Sequence, residues 1–334
     1  MDMVTDINRS FDRRDCQSAG SGMKRLICQT ASLIFLVSIS GFGQSRLDTR
    51  LAQGNTYASE GLWDEAITEY EVVLRARPRL AAVHYDLANA WAAKGDVAKA
   101  IDEYHQALRL GPKDANAYNN LALALSRQGH VDEAIQHYRE AVRLKPSNAL
   151  FHYNLANALS ARQNWKNAIQ EYREALRLKP KDPAAHNNLG LALQAQGDNP
   201  GAISEFKEAL RLQPTGGLFH YNLANAFAAQ HDWPSAITEY RLAILLNPRD
   251  SASHANLGLA FAQQGDLNRA IFEYRRAVRL NPRDARAQFN LGSALERQGN
   301  LQGAREQYRI AAALATANPE YRSAVERLGG SVKN

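Results

Sequence analysis

The chain has almost no cysteine. Cys16 and Cys28 are its two, both within the first 46 residues, so the remainder holds no disulfide, no thiolate metal site and no cysteine nucleophile. Any run of five or more basic residues is also lacking. Lysine and arginine number 40 against 34 aspartates and glutamates, a surplus of 6 spread along the whole length. That balance fits a solvated surface and argues against nucleic acid as a partner. Missing too are a glycine-rich phosphate loop, a His-Glu-x-x-His pair and a Gly-x-Ser-x-Gly elbow. These absences leave no catalytic centre to argue from. The expectation is a non-catalytic chain with no cofactor and no bound metal.

No apolar stretch reaches the ~20 residues of a comfortable membrane span. The nearest is Ala31 to Phe42, preceded by Met23-Lys24-Arg25 and followed by the small residues around Gly43. That order predicts a secretory signal peptide over 1–43, cut before Gln44, with translation starting at Met23. The mature chain is then exported, periplasmic or extracellular. The alternatives are a membrane anchor retained through an uncleaved leader, and a cytoplasmic chain.

What is present in abundance is repetition. Pro78, Pro112, Pro146, Pro180, Pro214, Pro248 and Pro282 stand 34 residues apart without insertion or deletion. On this frame 47–318 is eight units of equal length, and 319–334 is a capping helix and tail. Each unit reads as two helices. In the second, Leu87, Ala88 and Trp91 recur at helical spacing, Gly95 breaks the pattern, and Asp96 caps a second stripe running from Val97 to Leu108. Pro112 ends that stripe and Asp114 caps the next unit. An alanine recurs without exception from Ala66 to Ala304, with an aromatic four residues later, from Tyr70 to Tyr308. An unvarying small residue inside a helix means that another helix crosses close to it.

Leu87, Ala88, Ala100, Tyr104, Ala107 and Pro112, with their equivalents in every unit, resemble the signature of the tetratricopeptide repeat over about four-fifths of the chain. The tryptophan usual near the start of the unit is replaced by His84, Tyr118, His152, His186, His220 and His254. The resemblance implies an all-α, right-handed superhelical solenoid of eight helical hairpins plus a cap, working by protein–protein contact.

A second period of 68 residues lies over the first: Phe151 to Ala158 returns almost unchanged as Phe219 to Ala226, and Trp165 as Trp233. The histidines of successive units fall on different helices about 10 Å apart, too far for one metal ion, and read as structural. Glu69, Glu103, Glu171, Glu205, Glu239 and Glu273 are expected to solvate the outer surface and pair with arginine or lysine. Arg139, Arg173, Lys207, Arg241 and Arg275 read as a solvated face.

The first helices carry a ladder. Asn120, Asn154, Asn188, Asn222, Asn256 and Asn290 share one place, with Asp86 in an earlier unit. Three residues on, Asn55, Asn89, Asn157, Asn225 and Ser293 alternate with Leu123, Leu191 and Leu259, and Tyr85, Tyr153 and Tyr221 border the stripe. In a tetratricopeptide array the first helices line the concave surface, so the resemblance places this stripe in a groove. An asparagine amide has a donor and an acceptor, as a peptide unit does. Rungs about 10 Å apart match every third residue of an extended chain rising ~3.3 Å per residue. The peptide-binding repeats of O-linked N-acetylglucosamine transferases carry a similar ladder. The competing reading is that these asparagines hydrogen-bond between adjacent helices and were copied with them.

The expected function is a scaffold that receives an extended peptide or partner protein in its groove. A substrate-presenting accessory subunit of a glycosyltransferase or of a secretion or envelope complex is the alternative. A passive spacer is the third.

Overall fold

The structure is a computed structural model and describes residues 46–329. The leader expected at 1–43 and the extreme carboxyl end lie outside the described residues. Among the described residues there are seventeen helices and no strand, and no helix is long and apolar enough to cross a membrane. The chain divides between Gln128 and Gly129 into two compact units.

The first unit comprises α1 (46–59), α2 (Trp63–Ala76), α3 (Ala81–Lys94), α4 (Val97–Leu110) and α5 (Ala115–Arg127). The second begins with α6 (Val131–Leu144), α7 (Ala149–Ala161), α8 (Trp165–Leu178), α9 (Pro183–Ala195), α10 (Asn199–Leu212) and α11 (Gly217–Ala229). It continues with α12 (Trp233–Leu246), α13 (Ser251–Gln263), α14 (Leu267–Leu280), α15 (Ala285–Arg297), α16 (Leu301–Leu314) and α17 (Pro319–Arg327). Successive helices pack as hairpins, and α17 covers the exposed end of α16.

Each boundary has a local cause. The first helix of a repeat turns off at a left-handed residue: Gly61, Gly95, Gly129, Gly197, Gly265 and Gly299 have φ between +77° and +93°, a conformation that a side chain resists. Gln163 and His231 hold the same place at φ +57° and +59° without being glycine. Second helices end two residues before the periodic proline, whose ring denies helical geometry to its predecessor. Gly111, Lys145, Lys179, Gln213, Asn247 and Asn281 accordingly lie at φ −132° to −140°. Aspartates start the next helix: the Asp114 carboxylate accepts from the backbone N–H of Asn116 and Ala117 at 2.9 and 3.1 Å.

The core repeats as regularly. Ala66, Ala100, Ala134, Ala168, Ala202, Ala236, Ala270 and Ala304 are all 0% exposed, and the aromatics four residues later are 2% exposed or less. The aromatic of the second helix fills the gap beside a small residue of the first. A Cβ added at Gly190, Gly258 or Gly292 falls within 2.8 Å of the ring of Phe206, Tyr274 or Tyr308.

The histidines and glutamates complete the hairpin from inside. His84, His152, His186, His220 and His254 each place Nδ1 at 2.6 Å from an Oε2 nineteen residues on, in Glu103, Glu171, Glu205, Glu239 and Glu273. Nε2 of each lies 3.0–3.3 Å from the carbonyl oxygen of the proline six residues earlier. One ring thus ties both helices to the inter-repeat turn. The expectation that these glutamates lie among outer arginines and lysines holds only for Glu69, which pairs with Arg50 at 2.7 Å. The others are turned inward because an imidazole stands where Arg50 stands in the first repeat.

Candidate functional site: the amide row on the first helices

First helices of neighbouring repeats approach one another within each unit: α3 and α5 in the first, and α7–α9, α9–α11 and α13–α15 in the second. The predicted stripe lies on this closely spaced row. Asn222 is buried, whereas Asn120, Asn154, Asn188, Asn256, Asn290, Asp86, Asn89, Asn157, Asn225, Tyr85, Tyr153 and Tyr221 are half-buried.

The asparagines are already hydrogen-bonded to one another. Asn120 donates from Nδ2 to the Tyr85 hydroxyl and to Asn89 Oδ1, both at 3.1 Å. Asn188 repeats this with Tyr153 and Asn157 at 3.0 and 3.1 Å, and Asn256 with Tyr221 and Asn225 at 3.2 and 3.1 Å. The Oδ1 atoms of Asn89, Asn157 and Asn225 each accept a second bond from the hydroxyl of Tyr104, Tyr172 or Tyr240, at 2.6–2.7 Å. Burial drives those three hydroxyls upward in pKa, Tyr172 to about 12, so they remain proton donors at any physiological pH.

Two asparagines outside the predicted ladder extend the network. Asn187, 3% exposed, donates to Asn188 Oδ1 at 3.1 Å and accepts from Asn222 Nδ2 at 2.8 Å. Asn119 donates likewise to Asn120 Oδ1 at 3.0 Å. The doubled asparagines, recurring at the 68-residue period, were the available signal for them.

The two rows therefore differ in kind. Asn120, Asn188 and Asn256 have both amide hydrogens committed within the fold. In Asn89, Asn157 and Asn225 the network consumes the carbonyl oxygen; among the described residues the Nδ2 donors of Asn157 and Asn225 make no hydrogen bond, while the Asn89 amide also interacts with the Tyr85 hydroxyl. Leu123 and Leu191 alternate with them at 39% and 40% exposure. Two equivalent notches, 68 residues apart, open beside the row. Leu150 and Tyr153 line one of about 160 Å³, Leu218 and Tyr221 one of about 250 Å³. Asp86 has no amide hydrogen to give, and burial raises its carboxyl above the ordinary carboxylate range. No group of three His, Cys, Asp or Glu among the described residues is arranged to hold a metal.

Hairpins of constant length, stacked through an alanine–aromatic seam, define a repeat scaffold of the protein-interaction class. The sequence matches the family described as tetratricopeptide repeat over 51–115, 93–149, 119–183, 153–217 and 221–274, and a further TPR repeat over 258–299. The chain belongs to the tetratricopeptide repeat family. No curated protein sequence matches it. Among solved structures it is similar to the carboxyl-terminal part of a TPR repeat-containing protein from Cytophaga hutchinsonii: 18% identity and TM-score 0.61, over 72% of this chain and 99% of that one. A tetratricopeptide repeat protein from Parabacteroides merdae gives 17% identity and TM-score 0.58, over 75% and 99%. The Cut9–Hcn1 hetero-tetramer of APC/C gives 18% and 0.57, over 88% of this chain and 57% of that one. At these identities the likeness is one of fold.

Proposed function

We propose that this chain is a non-catalytic scaffold that binds an extended segment of a partner protein along the first helices within a unit, and that it does so after export. The observation that carries this is the division of labour between the asparagine rows. Asn120, Asn188 and Asn256 act as clamps: they fix the carbonyl oxygens of Asn89, Asn157 and Asn225 and so restrict the remaining amide donors. A donor held in place by two bonds to its own carbonyl loses little freedom on accepting a ligand, which is the general route to affinity through preorganisation. Those donors meet carbonyl groups of the bound backbone. The notches beside Tyr153 and Tyr221 take apolar side chains.

The test separates donor from scaffold. Asn89→Asp, Asn157→Asp and Asn225→Asp together keep an oxygen for each tyrosine hydroxyl and each clamp, but delete the amide N–H. Binding of the full chain to peptides selected on it is expected to weaken at least tenfold, with the helical melting curve little changed. Unaltered affinity in the folded triple variant would refute the assignment.

A further inference from the structure

The second helices carry a departure that the first-helix row does not explain. In the third, fourth and fifth repeats two outward places three residues apart hold the ion pairs Glu140–Arg143, Glu174–Arg177 and Glu208–Arg211, at 2.5–2.7 Å. In the sixth repeat the same places hold Leu242 and Leu245, 37% and 73% exposed. On α14 of the seventh repeat Phe272 is 57% exposed, at a place filled by Gln136, Gln170, Ser204 and Thr238 in the four repeats before it. A single exposed leucine needs no explanation. Here two of the three departures gather at one location. Leu245 and Phe272, with Leu257 and Phe261, line a cleft of about 400 Å³ formed by α12, α13 and α14.

The cleft has a cationic rim of Arg241, Arg269 and Arg276. Its own carboxylate, Glu273, is occupied by His254 at 2.6 Å, and Arg269 is held by Asp266 at 2.5 Å. Arg241 and Arg276 have no carboxylate partner among the described residues. The Arg276 guanidinium lies 5.6 Å from the centre of the Phe272 ring, and that of Arg269 lies 4.8 Å from that of Phe261. Stacking of this kind leaves the edge of a guanidinium available to a carboxylate.

We propose that this cleft is a second docking site, independent of the first-helix row, for an acidic amphipathic segment of a partner protein. One or two large apolar side chains of that segment fill the recess over Leu257 and Phe261, and its carboxylates pair with Arg241 and Arg276. Charge selects the occupant: the rim has guanidinium groups to spare and no free carboxylate, so a neutral or basic segment leaves them unmatched. A recess with an apolar floor suits a side-chain knob better than the flat face of a bilayer.

A variant that restores the neighbouring repeat tests this without threatening the fold. Leu242→Glu, Leu245→Arg and Phe272→Ser copy Glu208, Arg211 and Ser204 of the fifth repeat onto the same places. Random 16-residue peptides are selected by display on the full chain and counter-screened on the triple variant. The set specific to the unaltered chain is expected to carry paired large apolar residues flanked by Asp or Glu. A synthetic peptide from that set should bind at least tenfold more weakly to the triple variant, and to Arg241→Glu with Arg276→Glu. Its affinity should fall as salt rises from 0.05 to 0.5 M, and Asn89→Asp, Asn157→Asp and Asn225→Asp should leave it unchanged. A specific set that is empty, neutral or basic overturns the proposal. So does sedimentation with phosphatidylglycerol vesicles, or concentration-dependent dimerisation, that the triple variant abolishes while peptide affinity stays unchanged.

Discussion

Asp86→Asn should stabilise the first unit, and by an amount that depends on pH. In the three complete clusters, an asparagine 31 residues after Asn89, Asn157 or Asn225 donates to its Oδ1 at 3.1 Å. Asp86 stands 31 residues after Asn55, whose Oδ1 accepts only the Tyr70 hydroxyl, at 2.9 Å, among the described residues. An ionised carboxylate has no hydrogen to offer there, and its half-buried position withdraws it from water. The substitution supplies the missing donor in an isosteric side chain. One intramolecular hydrogen bond contributes about 1 kcal/mol net, roughly a five-fold change in the folding equilibrium.

The pH dependence follows from burial, which raises the native Asp86 pKa above its ordinary value of 3.8. Between the unfolded and native values the folded state holds more protons than the unfolded one, so the stability of the unaltered chain falls as pH rises through that window. Below the window the protonated carboxyl can itself donate and resembles the amide. The advantage of Asp86→Asn is therefore smallest at acid pH, grows through the window, and is constant above it. Urea unfolding of both proteins at intervals from pH 3.5 to 7.5 measures the difference. A variant no more stable at pH 7, or an advantage equal at both ends of the range, refutes the reasoning.

Two further predictions concern backbone and core. Gln163→Gly, at a left-handed turn where six other repeats have glycine, should raise stability by about 0.5–1 kcal/mol, the relief of the side-chain penalty less the added freedom of the unfolded chain; thermal or urea melts showing destabilisation would count against it. Gly190→Ala places a Cβ 2.6 Å from Phe206 Cε1 and should cost about 1–3 kcal/mol through overpacking, visible as a lowered urea midpoint with an unchanged slope.

Much of this fold could be read from spacing alone. The prolines, the alanine seam and the Gly-Asp turns each follow from a local requirement that recurs at fixed period, so sequence periodicity reports them directly. The candidate site was legible in position but not in role. Spacing placed Asn120 and Asn89 on one face, yet which amide faces inward depends on Tyr104, fifteen residues further on in the neighbouring helix. A hydrogen-bond partner on another element has no signature in helical periodicity. Glu103 and its equivalents were misplaced for the same reason: their partner is a histidine nineteen residues earlier, across the hairpin.

The same bonds alternate in kind with the 68-residue period. Along the first-helix row a tyrosine–asparagine repeat (Tyr153-Asn154, Tyr221-Asn222) alternates with a doubled-asparagine repeat (Asn119-Asn120, Asn187-Asn188). Asn187 gives to Asn188 and receives from Asn222, and Asn188 gives to Tyr153 and Asn157. In both kinds of repeat the place 35 residues earlier supplies the acceptor: the amide oxygen of Asn187 for Asn222, the hydroxyl of Tyr153 for Asn188 and that of Tyr221 for Asn256. Only a repeat that lacks that acceptor leaves the amide of the next repeat without this partner, at a cost of about 1–3 kcal/mol where the amide is buried. The chain shows where that supply stops: Ala255 replaces the first asparagine of the pair, Asn290 has no such acceptor 35 residues before it, and beyond that repeat α17 takes over as a cap. Neighbour-to-neighbour bonding of this kind makes the first-helix amide of each repeat depend on the residue that the preceding repeat places beside it.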